Sequence, residues 1–312
     1  MPVWFGYHIP DFTFPGVAPE DLFDHVAGLA KAAEDAGFTL VTVMDHLYQI
    51  PGIGPETEPM LEAYSTLAAL SQRTGRVRLG ALVTGVTYRN PAFLAKIVTT
   101  LDTVSRGRAL LGIGAAWNED EHRGYGYEFP PIGERMDRLD DALAIISRMF
   151  REDRPSYDGT HHRIDRALNA PRPIQRGGPP ILVGGAGERR TLRIAAKYAD
   201  MTHWFGSLGL DGLHHKTDVL RGYCEEIGRD PDTVERTLAS PVIPARDERH
   251  AQAIVDRQPP GRRMARPVSV EEAAERLGPY VEAGFTGFTF GNNFVADADE
   301  IGLVGELLHV IS

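Results

Sequence analysis

Cysteine is almost absent: Cys224 is the only one in 312 residues, which excludes a disulfide within the chain and suits a reducing compartment. Long apolar runs are missing too, and none approaches the ~20 residues that a membrane span requires. The opening stretch MPVWFGYHIPDF has no basic segment followed by an apolar one, so no secretory signal is expected. Positive charge is in deficit, with 33 Lys and Arg against 43 Asp and Glu and a net charge of −10. That balance argues against nucleic acid or an anionic membrane as a general partner, while leaving room for a local basic patch on an acidic ligand. The expectation is a cytoplasmic protein acting on a small molecule. Neither a linker nor an internal repeat interrupts the chain, and residues 1–312 are read as a single domain.

What the sequence does have is alternation. The apolar segments WFGYHI, FTLVTVM, VRLGALVTGV, RALLGIG, PILVGG, ADMTHW, TLASPVI and GFTGFTFG read as strands. Most are separated by stretches of helical period, such as PEDLFDHVAGLAKAAEDAG with Leu22, Phe23, Val26, Leu29 and Ala33 on one stripe and Gly37 as a stop. Asn90-Pro91 supplies a cap and a first-turn proline for another helix. Eight βα units in this order predict a (β/α)8 TIM barrel, with insertions at 48–58, 115–133, 151–179 and 244–268. A doubly wound open sheet would need fewer strands and an earlier end.

In such a barrel the mouth is built at the C-terminal ends of the strands, so those ends carry the functional question. They read Tyr7-His8, Asp45-His46, Thr84-Gly85-Val86, Ala115-Ala116-Trp117-Asn118, Gly184-Gly185-Ala186-Gly187 and His203-Trp204. In VTVMDHLY a buried strand stops on an acid and an imidazole. His46 suits proton exchange near neutral pH, metal ligation or plain packing. Adjacency does not make Asp45 its orienting partner, because neighbours on a strand point to opposite faces. A metal would need further ligands; His161-His162 and His214-His215 exist, but no HxH spacing supports a site, and no metal is expected. The loop in ILVGGAGERRTLRIAAKYAD joins a strand to a helix through glycines. It fits either a tight turn or a phosphate cradle at a helix N-terminus, with Arg189, Arg193 and Lys197 on one helix face.

VMDH, RVRLGALVTGVTYRNPAFLAKIVTTLDTVSRGRALLGIGAAWNEDEHRGYG, PPILVGGAGERRTLRIAAKYAD and YVEAGFTGFTF occur in order. Together they make the chain resemble the bacterial luciferase-like oxidoreductases, particularly the branch using the deazaflavin coenzyme F420. The resemblance covers roughly 1–205 and 270–311. It implies a TIM barrel with the ring across its mouth, contacted by Asp45 and His46, which become the catalytic candidates. It also implies that Leu82 and Val83, with Thr84 beside them, form a bulge that often carries a non-proline cis peptide and backs the ring. Asn118 would contact the polyol chain or ring. Gly184, Gly185, Ala186, Gly187 and Glu188 would take the ribityl phosphate, and Arg189 and Arg193 would reach toward the acidic tail. His8, His203 and Trp204 are the candidate substrate wall. Two departures matter. Ala115-Ala116 stand where some deazaflavin dehydrogenases carry a glutamate, which argues against a sugar-phosphate substrate. The Glu-His-His end of FMN-using members is missing, which favours F420 over FMN. Three alternatives stand beside F420-dependent hydride transfer. One is an FMN monooxygenase using oxygen and fed by a separate reductase; the others are a flavin-binding protein without turnover and a metal-dependent barrel hydrolase. A homodimer is implied by the same resemblance.

Overall fold

A computed structural model describes residues 2–258 and 265–311. In chain order the strands are β1 (Trp4–Ile9), β2 (Leu40–Val43), β3 (Arg78–Ala81), β4 (Thr84–Gly85), β5 (Leu111–Gly114), β6 (Tyr157–Asp158), β7 (Arg163–Ile164), β8 (Ile181–Gly184), β9 (Met201–Phe205), β10 (Glu235–Ala239) and β11 (Phe285–Gly291). The helices are α1 (Leu22–Asp35), α2 (Ala63–Leu70), α3 (Pro91–Val104), α4 (Glu119–Tyr125), α5 (Ile132–Arg151), α6 (Thr191–Tyr198), α7 (Gly209–Glu226), α8 (Glu248–Asp256), α9 (Val270–Glu282) and α10 (Ala298–Ile311). Among the described residues no helix is long and apolar enough to cross a membrane.

Nine strands pair in parallel in the order β3-β2-β1-β11-β10-β9-β8-β5-β4. The ring closes where Leu79 N–H donates to Arg108 and Leu110 N–H donates to Leu79. Because β3 and β4 are two pieces of one stave, the nine strands make eight staves: the expected barrel. The small β6–β7 pair stands apart as a hairpin in the 151–179 insertion.

Strand alternation sorts the core into two layers. Trp4, Leu40, Leu82, Val83, Leu110, Leu182 and Met201 pack together inside the barrel. Phe5, Tyr7, Ile9, Val41 and Val43 point outward, where they meet helix residues such as Val26, Leu29 and Leu67. Burying a side chain of this size stabilises by roughly 1.5–3 kcal/mol. Helix α3 shows the local logic. The Asn90 side chain accepts from the N–H groups of Ala92 and Phe93, Pro91 opens the first turn, and Arg106 and Gly107 end the segment at positive φ. Its buried Asp102 then accepts from the backbones of Ile174 and Gln175, tying the long insertion down before β8.

The expected single strand VRLGALVTGV is split by Leu82-Val83, whose peptide is cis. The bulge leans into the lumen, and glycines opposite make room for it. A Cβ on Gly114 would lie 3.0 Å from the Val83 side chain, and one on Gly184 would lie 2.9 Å from it. Gly114 and Gly184 are therefore a packing requirement of the bulge, whereas a Cβ on Gly112 would first meet the Ala81 carbonyl oxygen.

Candidate active site

His46 leaves the end of β2 with its Nδ1 2.8 Å from Glu121 of α4. Glu121 is fully buried, and every contact it makes is from a donor. Its Oε1 accepts from the Asn118 amide at 3.1 Å and more loosely from Tyr48 N–H, while Oε2 accepts from the Tyr88 hydroxyl. Burial works to raise the Glu121 carboxyl, but the hydrogen bonds from His46 and Tyr88 outweigh it and hold it below the ordinary glutamate range. A carboxylate surrounded in this way can only accept, so the His46 proton sits on Nδ1 and Nε2 is the nitrogen free to exchange a proton. The Trp117 ring stands edge-on to His46 at 5.4 Å. Beyond it opens a cavity of about 490 Å³ lined by Tyr48, Gln49, Trp117, Asn118, Glu119 and Asp120.

Asp45 has a different duty. Both its oxygens are engaged by Arg89, at 2.7 and 2.9 Å, and Gly85 N–H adds a third contact. Burial pushes the Asp45 carboxyl up and Arg89 opposes that; Arg89 in turn is raised by its acidic neighbours and also holds Glu62. With its oxygens turned to Arg89, Asp45 braces the segment after the bulge instead of orienting His46. Sequence reasoning missed Glu121. The signal available was the acid three residues after Asn118 at the start of a helix, where the Asn118 cap brings positions 118 and 121 together.

The remaining candidates divide. Leu82 and Val83 face the lumen, where they pack against Leu40, Leu110, Leu182 and Met201. The Thr84 hydroxyl is 2.7 Å from that of Tyr64 and fully buried, which leaves only its backbone for a ligand. Arg135 of α5 bonds the carbonyls of Ala115 and Ala116, fixing the loop that carries Trp117 and Asn118. In the glycine loop, Gly185 has φ +106°, and α6 begins with no side-chain cap on its first N–H groups. Glu188 turns to α7, paired with Lys216 and with His215 at 3.2 Å, so its charge is compensated within the protein. Arg193 and Lys197 pair with Glu226 and Asp140, which removes most of the expected basic stripe; Arg189 has no ion-pair partner among the described residues.

His8 and His203 both point into the lumen. Burial pushes His8 down to about 4 and His203 down to about 3, so both are neutral imidazoles at pH 7. Trp204 does not join them. Alternation sends it outward, fully buried and edge-on to Phe285 in the layer between strands and helices, so it is no part of a substrate wall. The insertion at 244–268 lies partly outside the described residues, which stop at 258 and resume at 265.

The mouth of this parallel barrel thus brings together an imidazole–carboxylate pair, an inward bulge and a glycine loop. The chain belongs to the luciferase-like monooxygenase family, whose model matches residues 4–287. It is 30% identical over 249 residues to an F420-dependent glucose-6-phosphate dehydrogenase of Microbacterium testaceum, covering 80% of this chain and 62% of that one. A protein of the same description from Kineococcus radiotolerans is 31% identical over 237 residues, covering 73% and 66%. The chain thus spans a little under two thirds of the length of the first of these. The fold agrees with that of an F420-dependent secondary alcohol dehydrogenase in complex with an F420-acetone adduct, with a TM-score of 0.78, 20% identity and full coverage of both chains. It agrees equally with the coenzyme F420 dependent tetrahydromethanopterin reductase of Methanopyrus kandleri, with a TM-score of 0.79, 18% identity and 98% of both chains covered.

Proposed function

We propose that this protein is an F420-dependent oxidoreductase that moves hydride between the deazaflavin and a small organic substrate, with His46 carrying the proton. One observation carries the reading: the His46–Glu121 pair, with its fixed tautomer, stands at the same barrel mouth as the Leu82-Val83 bulge and the glycine loop. The residues fit the cofactor. Gly185 and Gly187 put no side chain in the loop, and α6 starts without a side-chain cap; the N–H groups of Gly185 and Leu192 go to the carbonyls of His203 and Gly187, which leaves the others of the turn for a phosphate. Leu82 and Val83 present an apolar face from within the barrel. When bound, the deazaflavin supplies the hydride donor or acceptor at its ring carbon 5. The protein positions, excludes water and handles the proton: His46 Nε2 takes it from, or returns it to, the substrate oxygen, and Glu121 stabilises the imidazolium that results. Asn118 steadies Glu121, and Arg89 keeps Asp45 from competing for the imidazole.

Support for F420 comes from the relatives named for it and from the missing Glu-His-His strand end. The family's monooxygenase description supports a second reading with FMN and oxygen. Fluorescence titration of the purified protein with F420 and with FMN separates them. Tighter F420 binding and no oxygen uptake are expected; a preference for FMN with oxygen consumption overturns the proposal. In the expected case His46→Ala lowers turnover about 100-fold to 10,000-fold and leaves the F420 dissociation constant within about threefold. The same reading carries a cytoplasmic homodimer, which sedimentation at micromolar concentration checks.

A further inference from the structure

His203 is linked by its Nδ1 to Thr237 Oγ1 at 2.8 Å. The Thr237 hydroxyl is already a donor, since it gives its proton to the Thr202 carbonyl at 2.7 Å. It can therefore only accept from the ring, which fixes the proton on His203 Nδ1 and leaves Nε2 as a bare lone pair. Among the described residues Nε2 meets only Thr289 Oγ1, at 3.5 Å, and that hydroxyl is equally distant from the Leu238 carbonyl. A residue that is 93% buried thus aims an almost unsatisfied acceptor into the lumen. Across β10 and β11 stands His8, held to Thr42 Oγ1 at 2.9 Å, and beyond it His46. The three imidazoles form an arc along the lumen wall, with His46 at the proton-transfer end and His203 at the other.

We propose that His203 is a specificity-determining residue that accepts a hydrogen bond from a second hydroxyl of the substrate, so that the substrate is a polyhydroxylated compound and not a simple alcohol. The inference rests on the reading of the mouth as a hydride-transfer site. One hydroxyl gives its proton to His46 Nε2 as its carbon gives up hydride to the cofactor, forming a carbonyl. The other stays intact and fills the His203 lone pair. A substrate without it leaves a buried acceptor unpaired, a loss worth about tenfold to a hundredfold in kcat/KM.

Two measurements test this. Long-range ¹H–¹⁵N spectra of the histidine-labelled, F420-bound protein, with His203 assigned from a His203→Phe sample, report the tautomer without turnover. The neutral Nδ1–H form is expected from pH 5 to 8, preserved in Thr237→Ser and lost in Thr237→Val; an Nε2–H or protonated ring overturns the proposal. Loss of the 420 nm absorbance of F420 is then followed with propan-2-ol against propane-1,2-diol, and butan-2-ol against butane-2,3-diol and glycerol. The hydroxyl-rich members should be favoured by tenfold or more, and His203→Phe should erase that preference while leaving F420 binding unchanged. Equal or better turnover of the mono-alcohols, a preference that survives His203→Phe, or no turnover by a protein that binds F420 each overturns the substrate class. If F420 does not bind, the proposed function fails separately, and the tautomer of the unliganded protein still judges His203.

Discussion

Asp45 and Glu121 are both buried carboxylates near the end of β2, yet their partners differ in kind. Asp45 faces a guanidinium and a backbone N–H, and Glu121 faces an imidazole, an amide and a phenol. Arg89 and Gly85 hold Asp45 as an acceptor in an ion pair, while Glu121 backs the His46 imidazole. Glu121→Gln keeps the shape but removes the charge that favours the imidazolium. It is expected to lower turnover about 100-fold to 10,000-fold while F420 affinity stays within about threefold. Stopped-flow reduction of F420 by an active substrate checks this, and a fall of less than fivefold would mean that His46 works without its carboxylate. The sequence made His46 legible because it ends an apolar strand. It hid Glu121, since the pairing spans 75 residues and depends on how α4 sits over the mouth. The reading of Trp204 failed for a simpler reason: two adjacent residues on β9 were placed on one face, where the pleat allows only one.

At the scale of elements, the bulge and its glycines make one unit spread over three staves. Gly184→Ala places a methyl 2.9 Å from Val83, and Gly114→Ala one at 3.0 Å, so Val83 must retreat or the strands must part. Overpacking of this kind costs about 1–3 kcal/mol. Both variants should melt several degrees lower and bind F420 at least tenfold more weakly, because the apolar seat shifts. Gly133→Ala, whose added Cβ meets nothing within 4 Å, serves as the control. Thermal melts alongside fluorescence titration decide the point; unchanged affinity in Gly184→Ala would detach the seat from the bulge. Most element positions were readable from apolar period and from signals such as Asn90-Pro91. The strand break at Leu82-Val83 was not readable from period, because VRLGALVTGV keeps an apolar profile across it. Only resemblance to a family suggested it, and the reason for the glycines opposite appears only when the staves are ringed.

For the molecule as a whole, the neutral imidazoles inside the barrel set an acid limit on stability. His8 and His203 have folded values of about 4 and about 3, against roughly 6.5 for an unfolded histidine. Below pH 6.5 the unfolded chain therefore binds up to two protons that the native barrel refuses, and stability falls as pH falls. The slope approaches ~1.4 kcal/mol per pH unit for each ring, and the loss levels off only near the folded values. Glu34, Glu121 and Asp141 act in the same direction at lower pH. Their folded values are depressed, mainly by hydrogen bonds, so the stability they add is present above the unfolded carboxylate range and is lost as pH drops through the folded values. The melting temperature should thus begin to fall below about pH 6.5, well before ordinary carboxylates protonate. His203→Gln, which removes one of these rings, should reduce the slope between pH 6 and 4.5, while His8 and His162, the latter also held below the ordinary imidazole range by burial, carry what remains. Urea denaturation at fixed temperature across that range measures the slope directly. A flat profile from pH 7 to 5 would show that burial does not hold the two rings neutral.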